Sequence, residues 1–493
     1  MREALLNVRS CRLVLGVAIF SLAGCSVPLA PGYAVKKESL EVHYVLGPVA
    51  HLAVRAQYAL QNVGNAPLVS FDVSLPDEET YGRRGLRVLL DGRDVSPQIV
   101  SRETKTSDEP QNSFHIPCEP AWPQKEKRSL EVDYDLAPSG GERIAVDETS
   151  FHLEPLDWFP VLEPPKKLFA HDVERPDPTP MSFFVPGDFL LIANGQPAGI
   201  RKSGAEKEFK FRLPKKDLEP FVVAGRYYEQ RIESSGVAVI FWTFDSLPSD
   251  SAHSSGAILA GAWKAFEDAF GLLGKNSWPA RIVETRSSLA KDPVDAGMAP
   301  IAAFPGGILV RHEIFALGIS SRPFIELAER GLAHCWIGER MRVSPEAQLV
   351  MERGFASYAT VVAEESRGGA EARRLRVSDF LTAYDEARRH AAEKPLSSIS
   401  TADPPELQRL AEAEAPLFFV ALEDQYGAAP VRQGLGNLVA TMRGDVAGFP
   451  ELRSSLESST GKNLADFFRA WLDRPGIPAD FRARYAREAD ASH

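Results

Sequence analysis

Cysteine is scarce in this chain of 493 residues, which contains only Cys11, Cys25, Cys118 and Cys335. None of them has a second cysteine at the short spacing of a zinc-binding pair, so a cysteine-based zinc module is excluded. Cys118 and Cys335 lie in segments with different sequence patterns, and we expect no disulfide between them. A hydrophobic content of 44% predicts globular domains with packed cores.

Blocks of basic residues are also missing. The formal net charge is −11 and is spread along the sequence. This distribution disfavours nucleic acid as a partner. The chain has no G-x-S-x-G motif, no P-loop and no complete G-x-G-x-x-G, because GLGNLV at 434–439 lacks the last glycine. None of these motifs therefore points to a function.

Long apolar runs are limited to residues 13–23, which are too few to span a bilayer comfortably. An arginine-containing segment precedes this run, and LAGC at 22–25 ends it. The arrangement resembles a bacterial lipoprotein signal peptide, with a plain secretory signal peptide as the alternative. The resemblance implies cleavage before Cys25 and acylation of its thiol, and Ser26 is compatible with sorting to the outer membrane. We expect a protein of the cell envelope, anchored to the membrane through lipid on Cys25.

The first half of the remaining chain has the pattern of β-strands. Hydrophobic and polar residues alternate over 69–75 and 130–136, and a period of two is typical of half-buried strands. Asp91-Gly92 after RVLL predicts a hairpin turn, because both residues can adopt positive φ.

From about residue 257 the apolar spacing becomes helical. We expect a loop over 246–256, a helix over 257–272 and a strand over 279–285. Further helices are predicted over 324–341 and 346–363.

The end of the chain is also predicted to be helical, after a linker at 393–406. Its last strong helix covers 463–472, with Asn463 as N-cap and Pro475-Gly476 as terminator. Phe467, Phe468 and Trp471 have helical spacing and are interpreted as core residues rather than a cofactor site.

These patterns predict a multidomain α+β protein. Its parts are a signal peptide (1–25), a tether (26–38), an N-terminal antiparallel β domain (39–232), an α+β domain (233–392) and a helical C-terminal portion (393–493).

Two segments carry a family resemblance: LAHCWIG within 332–338 and ERGFASY within 352–358. They resemble the second zinc histidine and the N-E-G-F-A-S-Y segment of the aminopeptidase-N-like gluzincin family of zinc metallopeptidases. FPVLEPP at 159–165, EPFVVAGRYYE at 219–229 and FFRAWLDRPGIP at 467–478 look like further landmarks of that family. The resemblance covers roughly 40–480 and implies that the α+β domain is thermolysin-like.

The family's catalytic residues do not carry over. Its H-E-x-x-H motif and distal glutamate supply three zinc ligands and a general base. At matching spacing this chain has Arg330, Gly331, His334 and Arg353, of which only His334 is a family residue. A guanidinium has no lone pair for a metal, and one imidazole does not hold zinc.

Two further family positions are altered. Gly297, Met298 and Ala299 lie where the exopeptidases have G-x-M-E-N, so the glutamate that binds the substrate amine is replaced by Ala299. Glu412 aligns with the tyrosine that stabilises the tetrahedral intermediate. The resemblance therefore implies a former substrate site without catalytic groups.

The altered positions allow two interpretations. His334 is expected to be a buried, hydrogen-bonded residue rather than a metal ligand. Arg330 and Arg353 should face one cavity, either as an anion site for a peptide carboxylate or within an internal ion network. Because a buried arginine is costly unless paired, we favour the network, with Glu326, Glu352 or Glu412 as partners.

His312-Glu313 has the start of H-E-x-x-H, but residue 316 is alanine. This segment is predicted to be an edge strand after Gly306-Gly307 and not a metal site.

Three functional hypotheses follow. The first is a membrane-anchored, aminopeptidase-like protein without cofactor, predicted to be catalytically inactive, that binds a peptide or protein partner in the former substrate cleft. The alternative is a divergent zinc metallopeptidase with His334 and ligands such as His312, Glu326 or Glu352. The third is a structural subunit whose cleft is blocked.

Overall fold

The computed structural model describes residues 32–76, 78, 82–103, 112–137, 144–153, 158–163, 178–214, 221–274, 279–286, 301–304 and 306–490. The expected signal peptide with Cys25 and the segment with Gly297, Met298 and Ala299 lie outside these residues.

Antiparallel strands build the N-terminal part of the described chain. They are β1 (Tyr33–Val45), β2 (His51–Asn62), β3 (Leu68–Leu75), β4 (Arg83–Leu90), β5 (Arg93–Asp94), β6 (Val100–Glu103), β7 (Asn112–Trp122), β8 (Lys127–Leu136), β9 (Ile144–Val146), β10 (Ser150–Leu153), β11 (Val161–Glu163), β12 (Thr179–Pro186), β13 (Leu190–Ala193), β14 (Gln196–Ser203), β15 (Glu206–Leu213) and β16 (Val222–Gly225). A short 3-10 helix, Ser96–Gln98, follows β5.

These strands form three sheets. The largest has the order β14-β15-β12-β1-β2-β8-β4-β5, and the two smaller ones have the orders β13-β16-β10-β9 and β11-β3-β7-β6. Neighbours are antiparallel except β1 and β12, which run parallel. β14 is an edge strand with a register shift between Pro197 and Gly199. Alternate residues of β2 and β8 point into one hydrophobic core, as the period of two predicts.

Several local predictions can be compared with this region. The Asp91-Gly92 turn is confirmed, with φ of 52° and 76° between β4 and β5. Phe71 is buried in β3, but Val69 is 70% exposed, because a register shift at the start of the strand breaks the alternation. Residues 33–38, predicted as tether, lie instead in β1.

The middle part combines a mixed sheet with helices. Its sheet has the order β17-β18-β19-β21-β20, made of β17 (Tyr228–Ser234), β18 (Val237–Thr243), β19 (Ala280–Thr285), β20 (Ile301–Phe304) and β21 (Gly307–Arg311). The helices are α1 (Ser249–Phe270), α2 (His312–Phe315) and α3 (Arg322–Ala333).

Two predictions in this part are wrong. The loop over 246–256 is wrong from Ser249 onward, because α1 begins there and Gly256 packs so closely on Ile232 that a Cβ would lie 2.8 Å from it. The edge-strand prediction for His312-Glu313 is wrong as well. Both residues lie in α2, and β21 before them is an inner strand.

The last part is helical. It contains 3-10 helices at Pro345–Ala347 and Leu396–Ser398, a π-helical turn at Leu349–Gly354, and α4 (Phe355–Ala387), α5 (Pro405–Tyr426), α6 (Ala428–Thr441), α7 (Phe449–Thr460), α8 (Ala465–Leu472) and α9 (Ala479–Asp490). The short parallel strands β22 (Arg342–Val343) and β23 (Val446–Ala447) pair beside them. Among the described residues, no helix has the length and apolarity needed to cross a membrane.

The helical region shares one large core with α1 and the mixed sheet. Phe467, Phe468 and Trp471 belong to it, as predicted. Asn463 is not the N-cap of α8, which begins after Leu464, although its side chain accepts a hydrogen bond from the Ala465 amide. The predicted fold class, antiparallel β sheets followed by a thermolysin-like α+β part and a helical portion, is confirmed.

Candidate functional site

The end of α3 carries Arg330 and His334. The helix starts after Ser321, whose hydroxyl accepts a hydrogen bond from the Phe324 amide at 3.3 Å. It ends at Ala333, so the prediction of a helix to residue 341 is wrong. His334 caps the helix, and its amide donates to the Gly331 carbonyl at 3.1 Å in a tighter turn. The side chain of His334 therefore projects from the last turn rather than from mid-helix.

The chain then reverses to bring a second segment beside this end. The π-helical turn Leu349–Gly354 carries Glu352 and Arg353. Such turns are frequent at functional sites. Gly354 is required there, because a Cβ on it would overlap the Ala415 side chain of α5. The close packing of this turn on α5 fixes where Arg353 points.

Contacts among these elements bring the predicted positions together. Arg353 Nη1 donates to Glu412 Oε1 at 2.6 Å and to Gln408 Oε1 at 3.3 Å. His334 Nδ1 lies 3.7 Å from Glu352 Oε1. The charge of Arg330 acts on both His334 and Glu412. We call Arg330, His334, Glu352, Arg353 and Glu412 the arginine site.

Burial and positive charge set the protonation of the arginine site. Burial, aided by the charges of Arg330 and Arg353, lowers the pKa of His334 to about 4, so the imidazole is neutral at pH 7 although 20% of the side chain is exposed. Burial raises the pKa of the Glu352 carboxyl. Burial also lowers the pKa of Arg330, whereas Glu412 opposes that shift. At neutral pH the site thus combines a neutral imidazole with two guanidinium cations.

Solved structures with a similar fold are zinc metallopeptidases. The M1 zinc metallopeptidase from Deinococcus radiodurans matches with a TM-score of 0.58 at 14% identity, over 91% of this chain and 96% of that chain. A mutant of that enzyme bound to a Tyr-Ser-Ala substrate matches with 0.58 at 15% identity and the same coverage. A mutant two-domain M1 zinc metallopeptidase bound to L-arginine gives 0.59 at 15% identity, over 91% and 95%. No family model and no curated protein matches the sequence.

The chain has the fold of the M1 zinc metallopeptidases. At 15% identity this likeness establishes the fold alone, and the chemistry of the site has to be argued from the residues of this chain.

The donor set of the arginine site does not fit the zinc ion that the M1 fold implies. Catalytic zinc takes about three histidine, carboxylate or thiolate ligands. Neither Arg330 nor Arg353 can serve as one, and Gly331 has no side chain. In the described part of the chain, no three His, Cys, Asp or Glu side chains are placed together to hold a metal ion.

Other candidate ligands have other partners in this M1 fold. His312 Nδ1 lies 2.5 Å from Glu284 Oε1, on β19. Glu326 Oε1 accepts a hydrogen bond from Arg322 Nε at 2.7 Å and lies 3.2 Å from Arg376 Nη1. Of these three candidates, Glu352 is the one described beside His334. Cys118 and Cys335 are buried free thiols, as expected for cysteines without a disulfide.

The predicted ion network is present only in part. Arg353 is paired with Glu412, as that interpretation requires. Arg330 has no such pair among the described residues. Sequence reasoning missed Gln408 and Arg376, although Gln408 lies four residues before Glu412 and helical spacing could have revealed it. Arg376 comes from α4, and no local pattern indicates that it reaches α3.

Proposed function

We propose that this protein is a non-catalytic member of the M1 fold that binds a peptide or protein partner in the former substrate cleft. The observation that carries the proposal is the arginine site itself. Two guanidinium groups and a glycine occupy three of the four positions that the family resemblance assigns to zinc binding and general-base chemistry, on a backbone of the M1 fold. A peptide remains the expected ligand class because the fold of a peptidase is retained around the altered residues.

Metal content tests the loss of catalysis. The full chain with Cys25→Ser, which cannot be acylated, should contain far less than one zinc per chain by elemental analysis. The triple variant Arg330→His, Gly331→Glu and Arg353→Glu restores the family ligand set. It should bind about one zinc with His334. The same triple variant with His334→Ala is the matched control and should lose the metal.

The divergent metallopeptidase remains as a second candidate, favoured by the 3.7 Å approach of His334 to Glu352. One zinc in the unmodified chain, lost in His334→Ala, would replace our proposal with this one. A folded triple variant without zinc would contradict the alignment on which both rest.

A binding experiment tests the second part of the proposal, that the protein binds a peptide. The tripeptide Tyr-Ser-Ala, the substrate named for the Deinococcus radiodurans mutant, is the probe. Calorimetry should detect binding to the full chain, and mass spectrometry should find the peptide intact after incubation. Cleavage would show an enzyme, and absence of binding would favour a blocked cleft.

We also propose that lipid on Cys25 anchors the protein in the cell envelope, at the outer membrane. In cells fed labelled palmitate, the wild-type chain should incorporate the label and Cys25→Ala should not. Equal labelling of both chains would exclude this anchor.

A further inference from the structure

The carboxylates near Arg330 already bind other arginines. Glu412 accepts a hydrogen bond from Arg353 at 2.6 Å. Glu326, one turn before Arg330 on α3, lies 3.2 Å from a guanidinium nitrogen of Arg376. Both carboxylates thus have an arginine partner other than Arg330.

The side chain of Arg330 differs from these arginines. In the part of the chain that the structure describes, no group accepts a hydrogen bond from its guanidinium or forms an ion pair with it. A guanidinium carries five N–H donors and no acceptor, and it stays charged in proteins. The residue is half-buried, so these donors are partly removed from water, which is costly for a charged group without a partner.

Charges of both signs surround Arg330. The charges of Arg353 and Arg376 lower its pKa, whereas those of Glu412 and Glu326 raise it. Arg353 is paired with Glu412 and Arg376 with Glu326, and the remaining carboxyl of the arginine site, Glu352, lies beside His334. Arg330 is thus the cation of this group for which the described residues supply no ion pair.

We infer that Arg330 anchors the ligand of this site and that the group it binds is a carboxylate, held by two parallel N–H···O hydrogen bonds. This geometry is the preferred way in which a guanidinium binds a carboxylate. The inference rests on the proposed function in so far as the carboxylate belongs to a peptide. Both a C-terminus and an acidic side chain offer the same chemistry.

Three peptides separate these two sources. They are Tyr-Ser-Ala with a free C-terminus, its C-terminal amide, and Tyr-Glu-Ala amide. A charge-assisted hydrogen-bonded pair contributes about 1.5–3 kcal/mol, so a carboxylate-bearing peptide should bind at least about tenfold more tightly than the plain amide. Whichever carboxylate is preferred identifies the source.

Variants assign the effect to Arg330. Arg330→Gln removes the charge and should abolish the preference for a carboxylate, whereas binding of the plain amide should change little. Arg330→Lys keeps a point charge without the planar fork and should retain part of the preference. Arg409→Gln removes the same charge from the exposed face of α5 and is the control, with the preference unchanged.

A small carboxylate that is not a peptide tests the carboxylate site separately from the proposed peptide binding. Propionate should raise the melting temperature of the wild-type chain above that in chloride at equal ionic strength, and should not do so for Arg330→Gln.

If propionate acts through Arg330 and no peptide binds, the carboxylate site stands and the peptide function fails. If all three peptides bind equally well, or if Arg330→Gln keeps the preference, the function stands and this inference is overturned. If neither propionate nor any peptide binds, both are overturned.

Discussion

The two ends of α5 carry charge clusters of opposite character. Near its start, Glu412 and Arg353 form a pair in which each side chain is about one-third exposed. Near its end, Glu423 is buried and accepts hydrogen bonds from Tyr358, Arg373 and Arg432 at 2.5–2.6 Å. The buried cluster is complete and ties α5 to α4 and α6. The exposed cluster lies near Arg330, for which the described residues supply no ion-pair partner.

The difference suggests different roles: the Glu423 cluster stabilises the helix packing, and the Arg353–Glu412 pair belongs to the candidate binding site. A buried carboxylate with three donors fixes the packing of helices and offers nothing to a ligand. A partly solvated ion pair costs little to rearrange and can respond to an anion that binds beside it. We therefore expect substitutions at the Glu423 end to change stability and those at the Arg330 end to change binding.

The largest effect should follow Glu423→Gln. This substitution removes the buried negative charge that Arg373 and Arg432 share, and breaking a buried ion pair costs about 3–5 kcal/mol in the free energy of unfolding. Urea unfolding followed by far-UV circular dichroism measures the loss. Glu406→Gln, at an exposed position of the same helix, should shift the free energy of unfolding by less than about 0.5 kcal/mol. Similar midpoints for the two variants would break the comparison.

Glu414, between the two ends, should make stability depend on pH. Burial, with the charge of Glu393, raises its pKa from 4.5 to about 8, and Arg482 opposes the shift. Between pH 4.5 and 8 the unfolded chain loses this proton and the folded chain keeps it. Stability should therefore fall as pH rises through this window, by up to about 1.4 kcal/mol per pH unit.

Glu414→Gln should flatten this dependence. The difference in the free energy of unfolding between wild type and variant, measured by urea titration across the window, isolates the contribution of the one carboxyl. A difference that is constant with pH would show that Glu414 is ionised in the folded protein.

A smaller effect is expected for Gly354→Ala. The added methyl group overlaps Ala415, and the strain should cost about 1–3 kcal/mol and displace Arg353. Gly261→Ala in α1 is the matched control, since a Cβ there meets nothing within 4 Å. Helix propensity predicts that this control is stabilised by up to about 1 kcal/mol. Equal stability of both variants in thermal unfolding would mean that the π-helical turn is not constrained by α5.

The smallest effect belongs to the Arg353–Glu412 pair. A double-mutant cycle with Arg353→Met and Glu412→Gln should give a coupling of about 1 kcal/mol or less, because both side chains are partly solvated. The coupling should shrink as salt is added. A coupling as large as the loss in Glu423→Gln would remove the distinction between the two ends of α5.

The sequence predicts the strands better than the ends of the helices. Alternation identifies β8 correctly, since each apolar residue enters one core. Helical spacing around Trp336 continues beyond the last residue of α3 because the indole is buried against Trp263, with ring centroids 5.0 Å apart. Hydrophobic periodicity reflects which residues are buried. A buried residue in a tight turn can therefore continue the helical pattern after the helix has ended.

Motif spacing predicts which residues of the site meet, but not how they pair. The charges of Arg330 and Arg353 both act on His334. Arg353 pairs with Glu412 on α5, and Arg376 on α4 pairs with Glu326 on α3. The two partners in each pair are distant in sequence. Which of the cations has no ion-pair partner among the described residues is therefore decided by the tertiary packing.

The edge strand β14 affects the tendency of the protein to aggregate at high concentration. All of its residues are exposed, and within the described part of the chain no strand pairs with its outer side. Such an edge can recruit a second chain and start a fibrillar aggregate. Pro197 offers no amide hydrogen, the register shift before Gly199 bends the strand, and Arg201 and Lys202 place like charges along it. The edge is thus protected against self-association, which matters most for a protein held at high local density.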